Sequence, residues 1–370
     1  MSTMEQTFDS AIVTTTIYVP KLLDSYADDA VRYKHRVLFV VIGDKKTPPE
    51  TADYCAALAK RTGIRVEYFS VARQEEYLKK FPELAAHIPY NCIERRDIGL
   101  VYAYEMGCET IITIDDDNHR VTDNYIAAHG IDTERECDVI SSSTGWLNVC
   151  RELEEKHGRN FYHRGFPIEK RYMEEVLTHN TKNVRPAANG GLWLGDPDID
   201  ALERLYWLND PTEATRYTGT KQVALDIGTW SPFNSQNTGV RRDALPGYFL
   251  SPLVGRFSDI WGSYCFKYIS DHLGEYVTFG EPIVKQERNP HNYWRDFDQE
   301  RYGLALNMRF VDALGRVKLT GKDYRSCFAE LTAQFPDAFK DVKLADDERA
   351  FLEKYFEGMR VWVQTFENIS

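Results

Sequence analysis

Near-continuous apolar runs separated by mixed, helix-compatible stretches dominate the first 120 positions. Residues 11–17 and 37–42 are β-branched and aliphatic almost throughout, the pattern of strands covered on both faces. Arg65–Phe69 and residues 111–114 repeat it at shorter length. Pro20 stands at a helix start before residues 21–33, and the Pro48-Pro49 turn opens a helix running to about Arg61. A third helix is predicted over residues 94–106. This alternation implies a parallel sheet with helices on both faces. It is Rossmann-like, but no GxGxxG accompanies it, so a dinucleotide fingerprint is missing.

Past Asp117 the pattern loosens. Residues 138–141 and 191–194 read as strands. Residues 259–273 read as an amphipathic helix, with Ile260, Trp261, Tyr264, Cys265, Tyr268 and Ile269 on one broad face. From about Tyr302 the composition turns helical, with candidates near residues 323–334 and 345–366. No repeat or low-complexity linker intervenes. The expected organisation is one main domain over residues 1–300 and a helical C-terminal extension over residues 301–370.

Composition narrows the partners. At 370 residues and 43% apolar, the chain can bury a sizeable core. Its net charge of −12 argues against nucleic acid, whose phosphates recruit clustered Lys and Arg. Seven cysteines, an odd number without CxxC spacing, fit a reducing compartment with neither zinc site nor disulfide frame. Met1 to Asp9 is polar and acidic, unlike a targeting peptide, and the longest aliphatic run, residues 37–42, is too short to span a bilayer. A cytoplasmic location and no membrane span are expected.

The candidate chemistry starts where residues 111–114 end in Asp115-Asp116-Asp117. Alternation along an extended chain would point Asp115 and Asp117 the same way. Their hard oxygens suit Mg²⁺ or Mn²⁺ shared with phosphate, which makes a diphosphate the natural ligand. A solvated acidic turn is the plain alternative. Asp44, after the second strand, could bond a base or ribose, and Arg95-Arg96-Asp97 could present guanidinium groups to phosphate. Gly190-Gly191 beside Trp193 would let backbone approach a ligand. Asp259, at a helix start after Arg256, reads either as a structural cap or as an acid facing substrate, with Trp261 on the same pocket wall.

Three segments in order carry a resemblance: the strand ending in Asp115-Asp116-Asp117, Gly191-Leu192-Trp193-Leu194, and Gly255-Arg256-Phe257-Ser258-Asp259-Ile260-Trp261. Over roughly residues 10–300 the chain resembles the reversibly glycosylated polypeptide family, whose plant members are UDP-arabinopyranose mutases. From Gln286 to Asn292 it also resembles the related STELLO glycosyltransferase domain. The resemblance implies a GT-A fold, a UDP-sugar donor and a divalent metal. It places Asp115 near ribose and metal, Asp117 as the main metal ligand, and Arg96-Asp97, with Asp116 and Asp44, near the nucleotide. Gly191, Trp193 and Trp261 would line the substrate side.

Arg164-Gly165-Phe166-Pro167, with Arg171 beyond, reproduces the family's Arg-Gly-aromatic-Pro segment. By resemblance Arg164 inherits the site of reversible glycosylation. A guanidinium is a poor nucleophile, so stabilising the leaving diphosphate is the preferred role. The plant pattern's late His falls on Val284, which leaves His291 as the substitute metal ligand; His272 reads as a packing or surface residue. The expected function is a metal-dependent UDP-sugar enzyme, either recapturing the sugar in another ring form or passing it to a small-molecule or protein acceptor. A catalytically silent nucleotide-binding scaffold is the reading from another class. The C-terminal helices could serve a homo-oligomer interface or cap the main domain.

Overall fold

Burial on both faces forces the apolar runs into the middle of a sheet. In the computed structural model, which describes residues 7–131, 133–288 and 291–369, strands β1 (Ser10–Thr16), β2 (Val37–Gly43), β3 (Arg65–Phe69) and β4 (Thr110–Ile114) lie parallel in the order β3-β2-β1-β4. Every position of β2 and β4 is buried. The helices Leu23–Arg32, Glu50–Thr62 and Arg96–Glu105 connect these strands. Gly99 lets the last of them press onto β1 and β2: a Cβ there would meet Val13 at 2.6 Å and Ile42 at 3.2 Å. The chain builds outward from β1 to β3, then returns to β1's other side for β4. That reversal opens a crevice at the carboxyl ends of β1 and β4, the place where open α/β sheets bind ligands.

Beyond β4 antiparallel pairings join in, although five of the nine pairings in this ten-stranded sheet are parallel. Asn237–Arg241 joins β4 antiparallel, followed by Pro186–Gly190, Tyr276–Phe279, Val223–Leu225, Arg135–Ser142 and the edge strand Leu177–Val184. A five-stranded sheet, Asn118–Arg120, Val284–Gln286, Trp193–Gly195, Ala214–Tyr217 and Leu153–Glu155, begins directly after the acid run. The segment expected as a strand over residues 191–194 divides: Pro186–Gly190 ends in one sheet and Trp193–Gly195 starts in the other.

The helices Ser258–Leu273, Tyr293–Leu314, Tyr324–Ala338 and Asp346–Glu367 bury their apolar faces in one core with the sheet. Residue 300, the expected boundary, falls inside Tyr293–Leu314. Trp261 stacks on Phe310 (centroids 4.3 Å apart, 15° between planes) and meets Tyr355 edge-on at 5.4 Å. The cysteines are unpaired, and all but Cys92 are buried. Among the described residues no helix is long and apolar enough to cross a membrane.

Candidate functional site

A pocket of about 360 Å³ occupies the crevice at the sheet's switch point. β1 contributes Thr15 and Thr16, followed by Ile17 and Tyr18; the end of β2 contributes Gly43 and Asp44; Asp115, Asp116 and Asp117 follow β4. Arg256, Gln286, Arg288 and His291 complete the lining, with Glu287 N–H donating to the Asp117 carbonyl at 3.1 Å beside the acid turn. Asn289 and Pro290, part of the segment that carried the second resemblance, lie outside the described residues.

The acid run does not continue the strand. β4 stops at Ile114, and the chain turns, with Asn118 N–H donating to the Asp115 carbonyl at 3.4 Å. Strand alternation therefore does not govern the three carboxylates, and all of them reach the pocket. Two of them have partners that fix their setting. Arg96, itself buried, donates to Asp115 Oδ1 and to the Ser235 carbonyl, so it fixes this carboxylate from behind instead of reaching a ligand. Thr16 Oγ1 donates to Asp116 Oδ2 at 2.6 Å; burial raises the Asp116 pKa against that hydrogen bond, and the charge of Asp115 adds to the rise. Asp44 accepts backbone N–H groups from Lys45 and Asn91, both at 2.6 Å, and so shapes the rim.

Arg95, not Arg96, is the member of the Arg95-Arg96-Asp97 trio that lines the pocket, and its guanidinium is buried behind the wall. Its Nε donates to Gln74 Oε1 at 2.7 Å, its guanidinium lies 4.5 Å from the Tyr90 ring centroid, and its buried Nη2 has no hydrogen-bond partner. Asp97 is fully buried away from the pocket. Burial and neighbouring Glu94 push its carboxyl far above the ordinary range, so it is not placed to meet a nucleotide.

Glu94 itself is pushed up to about 7, mainly by burial, while the Ser258 hydroxyl, donating at 2.9 Å, opposes the shift. Between its ordinary value of 4.5 and about 7 the folded protein then holds a proton that the unfolded chain releases. Stability contributed by this group is complete below 4.5 and is lost as pH rises through about 7. Glu94→Gln, neutral at every pH, should flatten the decline in melting temperature across that window. An unchanged slope in the variant would assign the decline to other groups.

Arg164 is sequestered. Its Nε and one terminal nitrogen grip Asp198 (3.0 and 2.9 Å), and both terminal nitrogens grip Asp259 (3.0 and 3.1 Å), with a further bond to the Arg256 carbonyl. These contacts use all five of its N–H donors. Burial works against the charge, but the two carboxylates outweigh it and raise the pKa well above the ordinary value. Gly165 fits the adjoining turn because φ is +89°, and a Cβ would strike Ile260 at 2.2 Å. Asp259 is turned from the pocket: its carboxylate accepts from Arg164, from Ser235 N–H at 3.1 Å and from Ile260 N–H at 3.0 Å. Arg171 is occupied with Asp200 and lies over Tyr162.

The three expected substrate contacts also face inward. Gly191 is needed for close packing, since a Cβ would meet Asn237 Nδ2 at 2.3 Å and its carbonyl oxygen at 2.6 Å. Trp193 is buried beside His163, and Trp261 belongs to the helical core. Hydrophobic ring faces enclosed in this way have no surface left for a sugar. His291 does line the pocket; its Nδ1 pairs with Asp296 Oδ2 at 2.9 Å, which leaves Nε2 as its other ring nitrogen.

Two cations emerge here that composition could not rank. Arg256 Nε donates to buried Glu300 at 2.7 Å. Arg288 is nearly enclosed, 3.5 Å from Asp196 and 3.7 Å from Asp198, and burial together with neighbouring Arg204 lowers its pKa to about 10. Such a cation gains from an incoming anion. Carboxylates and guanidiniums line the same pocket, a donor set suited to a phosphate-bearing ligand. Among the described residues no three His, Cys, Asp or Glu side chains form a self-contained metal cage.

Residues 109–370 match the family described as reversibly glycosylated polypeptide. UDP-arabinopyranose mutase 2 of Arabidopsis thaliana is 22% identical over 324 residues, covering 78% of this chain and 83% of the relative. UDP-arabinopyranose mutase 1 of the same plant is 24% identical over 223 residues, 58% of this chain and 57% of the relative. The mannosyltransferase of Pyrobaculum calidifontis in complex with GDP-Man and Mn²⁺ superposes with a TM-score of 0.37 at 9% identity, over 98% of this chain and 85% of that one.

Proposed function

The chain belongs to the reversibly glycosylated polypeptide family, and from that membership we propose that it is a UDP-sugar enzyme of the mutase or glycosyltransferase type, working in the pocket at the ends of β1, β2 and β4. The observation that carries the reading is the pairing within one pocket of the Asp115–Asp117 turn with Arg256 and Arg288. Uridine and ribose would occupy the β1–β2 side, against Tyr18 and Asp44. The diphosphate would lie between the acid turn and the two arginines.

A divalent cation fits the donor set, because carboxylate oxygens at a pocket wall suit Mg²⁺ or Mn²⁺ ions that take their remaining ligands from phosphate and water. Asp115 and Asp117 would hold it, with His291 nearby, and when bound it supplies charge neutralisation to the diphosphate. The chain's own part is preorganisation. Arg96 locks Asp115, Thr16 locks Asp116, and Arg256 and Arg288 present fixed positive charge where negative charge grows as the anomeric carbon–oxygen bond breaks. Arg164 and Asp259 act as positioning residues: they tie the Arg256 backbone, Ser235 and Asp198 into one buried network behind the pocket.

Incubating the purified chain with UDP-arabinopyranose, other UDP-sugars and Mn²⁺ tests the reading. A sugar-nucleotide isomer, seen by chromatography, marks a mutase; UDP released only with an added acceptor marks a transferase. No UDP binding and no turnover with any donor would overturn the proposal.

A further inference from the structure

On the other side of the Arg164 segment lies a second pocket that the UDP-sugar reading does not use. It encloses about 530 Å³ and shares no lining residue with the first. Its floor is aromatic: Trp146 meets Phe166 edge-on at 5.8 Å, Tyr162 lies 5.0 Å from Phe166, and Tyr172 approaches Tyr162 edge-on at 5.3 Å. While Arg164 turns inward to its carboxylates, its neighbours Phe161, Tyr162 and Phe166 face this cavity.

Tyr172 is the informative residue. It is 75% exposed at the pocket wall, with Met173 beside it 49% exposed. Its backbone is left-handed, φ +58°, a conformation that ordinary side chains rarely adopt. The Tyr162 hydroxyl accepts its N–H at 2.8 Å and holds it there. A strained residue that keeps a large ring in water, against the hydrophobic effect, points to a surface awaiting a partner.

Charge selects the class of that partner. Arg151 is paired with Glu175 at 3.0 Å, and Arg159 with Glu155 and Asp210. Lys170 and Glu174, of opposite sign, make no side-chain hydrogen bond or ion pair among the described residues. The lining is therefore balanced, unlike the arginine wall of the first pocket, and does not suit a diphosphate. The exposed face of Tyr172 carries negative π density that receives the slightly positive C–H face of a sugar ring, while Lys170, Glu174 and exposed Asn160 can bond its hydroxyls. We propose that this pocket binds a neutral saccharide of one or two rings, with Tyr172 as the stacking platform.

Saturation-transfer NMR on the full chain, with cellobiose, maltose and xylobiose as probes under saturating UDP and Mn²⁺, tests this. Transfer to the ring C–H protons of at least one disaccharide is expected, together with slowed hydrogen exchange over residues 168–175. Tyr172→Ala should weaken binding roughly tenfold, about the energy of one aromatic contact, while Tyr172→Phe should keep it. Absence of transfer from all three sugars, or Tyr172→Ala binding as tightly as the parent, overturns the proposal. So does a signal that UDP displaces, since that places the sugar in the first pocket. None of these outcomes depends on whether the chain turns over a UDP-sugar.

Discussion

Arg164→Ala is expected to cost about 3–5 kcal/mol of stability, the penalty of breaking a buried ion pair from one side. Asp198 and Asp259 would be left buried in mutual repulsion, with Arg256 and Arg288 no nearer to Asp198 than 3.9 and 3.7 Å. Chemical denaturation measures the loss directly. Arg164→Lys keeps one positive charge but not the planar fork that reaches both carboxylates, so it should fall between the parent and the alanine variant. The same geometry bears on covalent glycosylation. A guanidinium with every N–H engaged offers no nitrogen to an anomeric carbon, so radiolabelled sugar should not remain on Arg164 after denaturation. A label mapped to that residue by mass spectrometry would show that the network opens during turnover, and a fully stable Arg164→Ala would remove the network's structural role.

The second large effect is expected at the acid turn. In the parent protein Mn²⁺ or Mg²⁺ should strengthen UDP binding, because a cation held by Asp115 and Asp117 would neutralise the charge of the diphosphate. Asp117→Ala should abolish that enhancement and lower turnover by at least ~10²-fold, the scale of losing one charge-stabilising group. Asp115→Ala should behave differently. Removing it also leaves the fully buried Arg96 without its carboxylate, so melting temperature should drop along with UDP affinity. Calorimetry in which Asp117→Ala binds UDP as the parent does, with and without metal, would dismiss the metal assignment.

The parallel half of the fold was legible because its strands are buried on both faces, which writes uninterrupted apolar runs into the sequence. Asn237–Arg241 was not, although it pairs with β4 in the middle of the sheet: Asn-Thr-Gly-Val-Arg has one large aliphatic residue, and polar neighbours satisfy the rest. The acid turn was found from an apolar run ending in three carboxylates, but the setting of each side chain depends on tertiary contacts. Arg95 and Arg96 are adjacent, yet one lines the pocket and the other supports it. Arg256 and Arg288 lie in the two segments that carried the resemblance, but their roles were not legible, since an arginine's worth here comes from buried acids distant in the chain. Asp259 and Trp261 sit in a recognisable segment whose side chains serve the packing behind the site.

The acid turn is closed by residues made much later than itself. Asp115 N–H and Asn118 Nδ2 both donate to the Gln236 carbonyl, at 3.0 and 3.1 Å, and Arg96 leans on Ser235. During synthesis the first four strands can pair as soon as Ile114 emerges, but the turn lacks its anchor until the ribosome has passed Asn237. High contact order is thus concentrated at the site itself. A nascent chain or fragment ending before that strand would lack the anchor of the acid turn, so competence to bind ligand would arrive late.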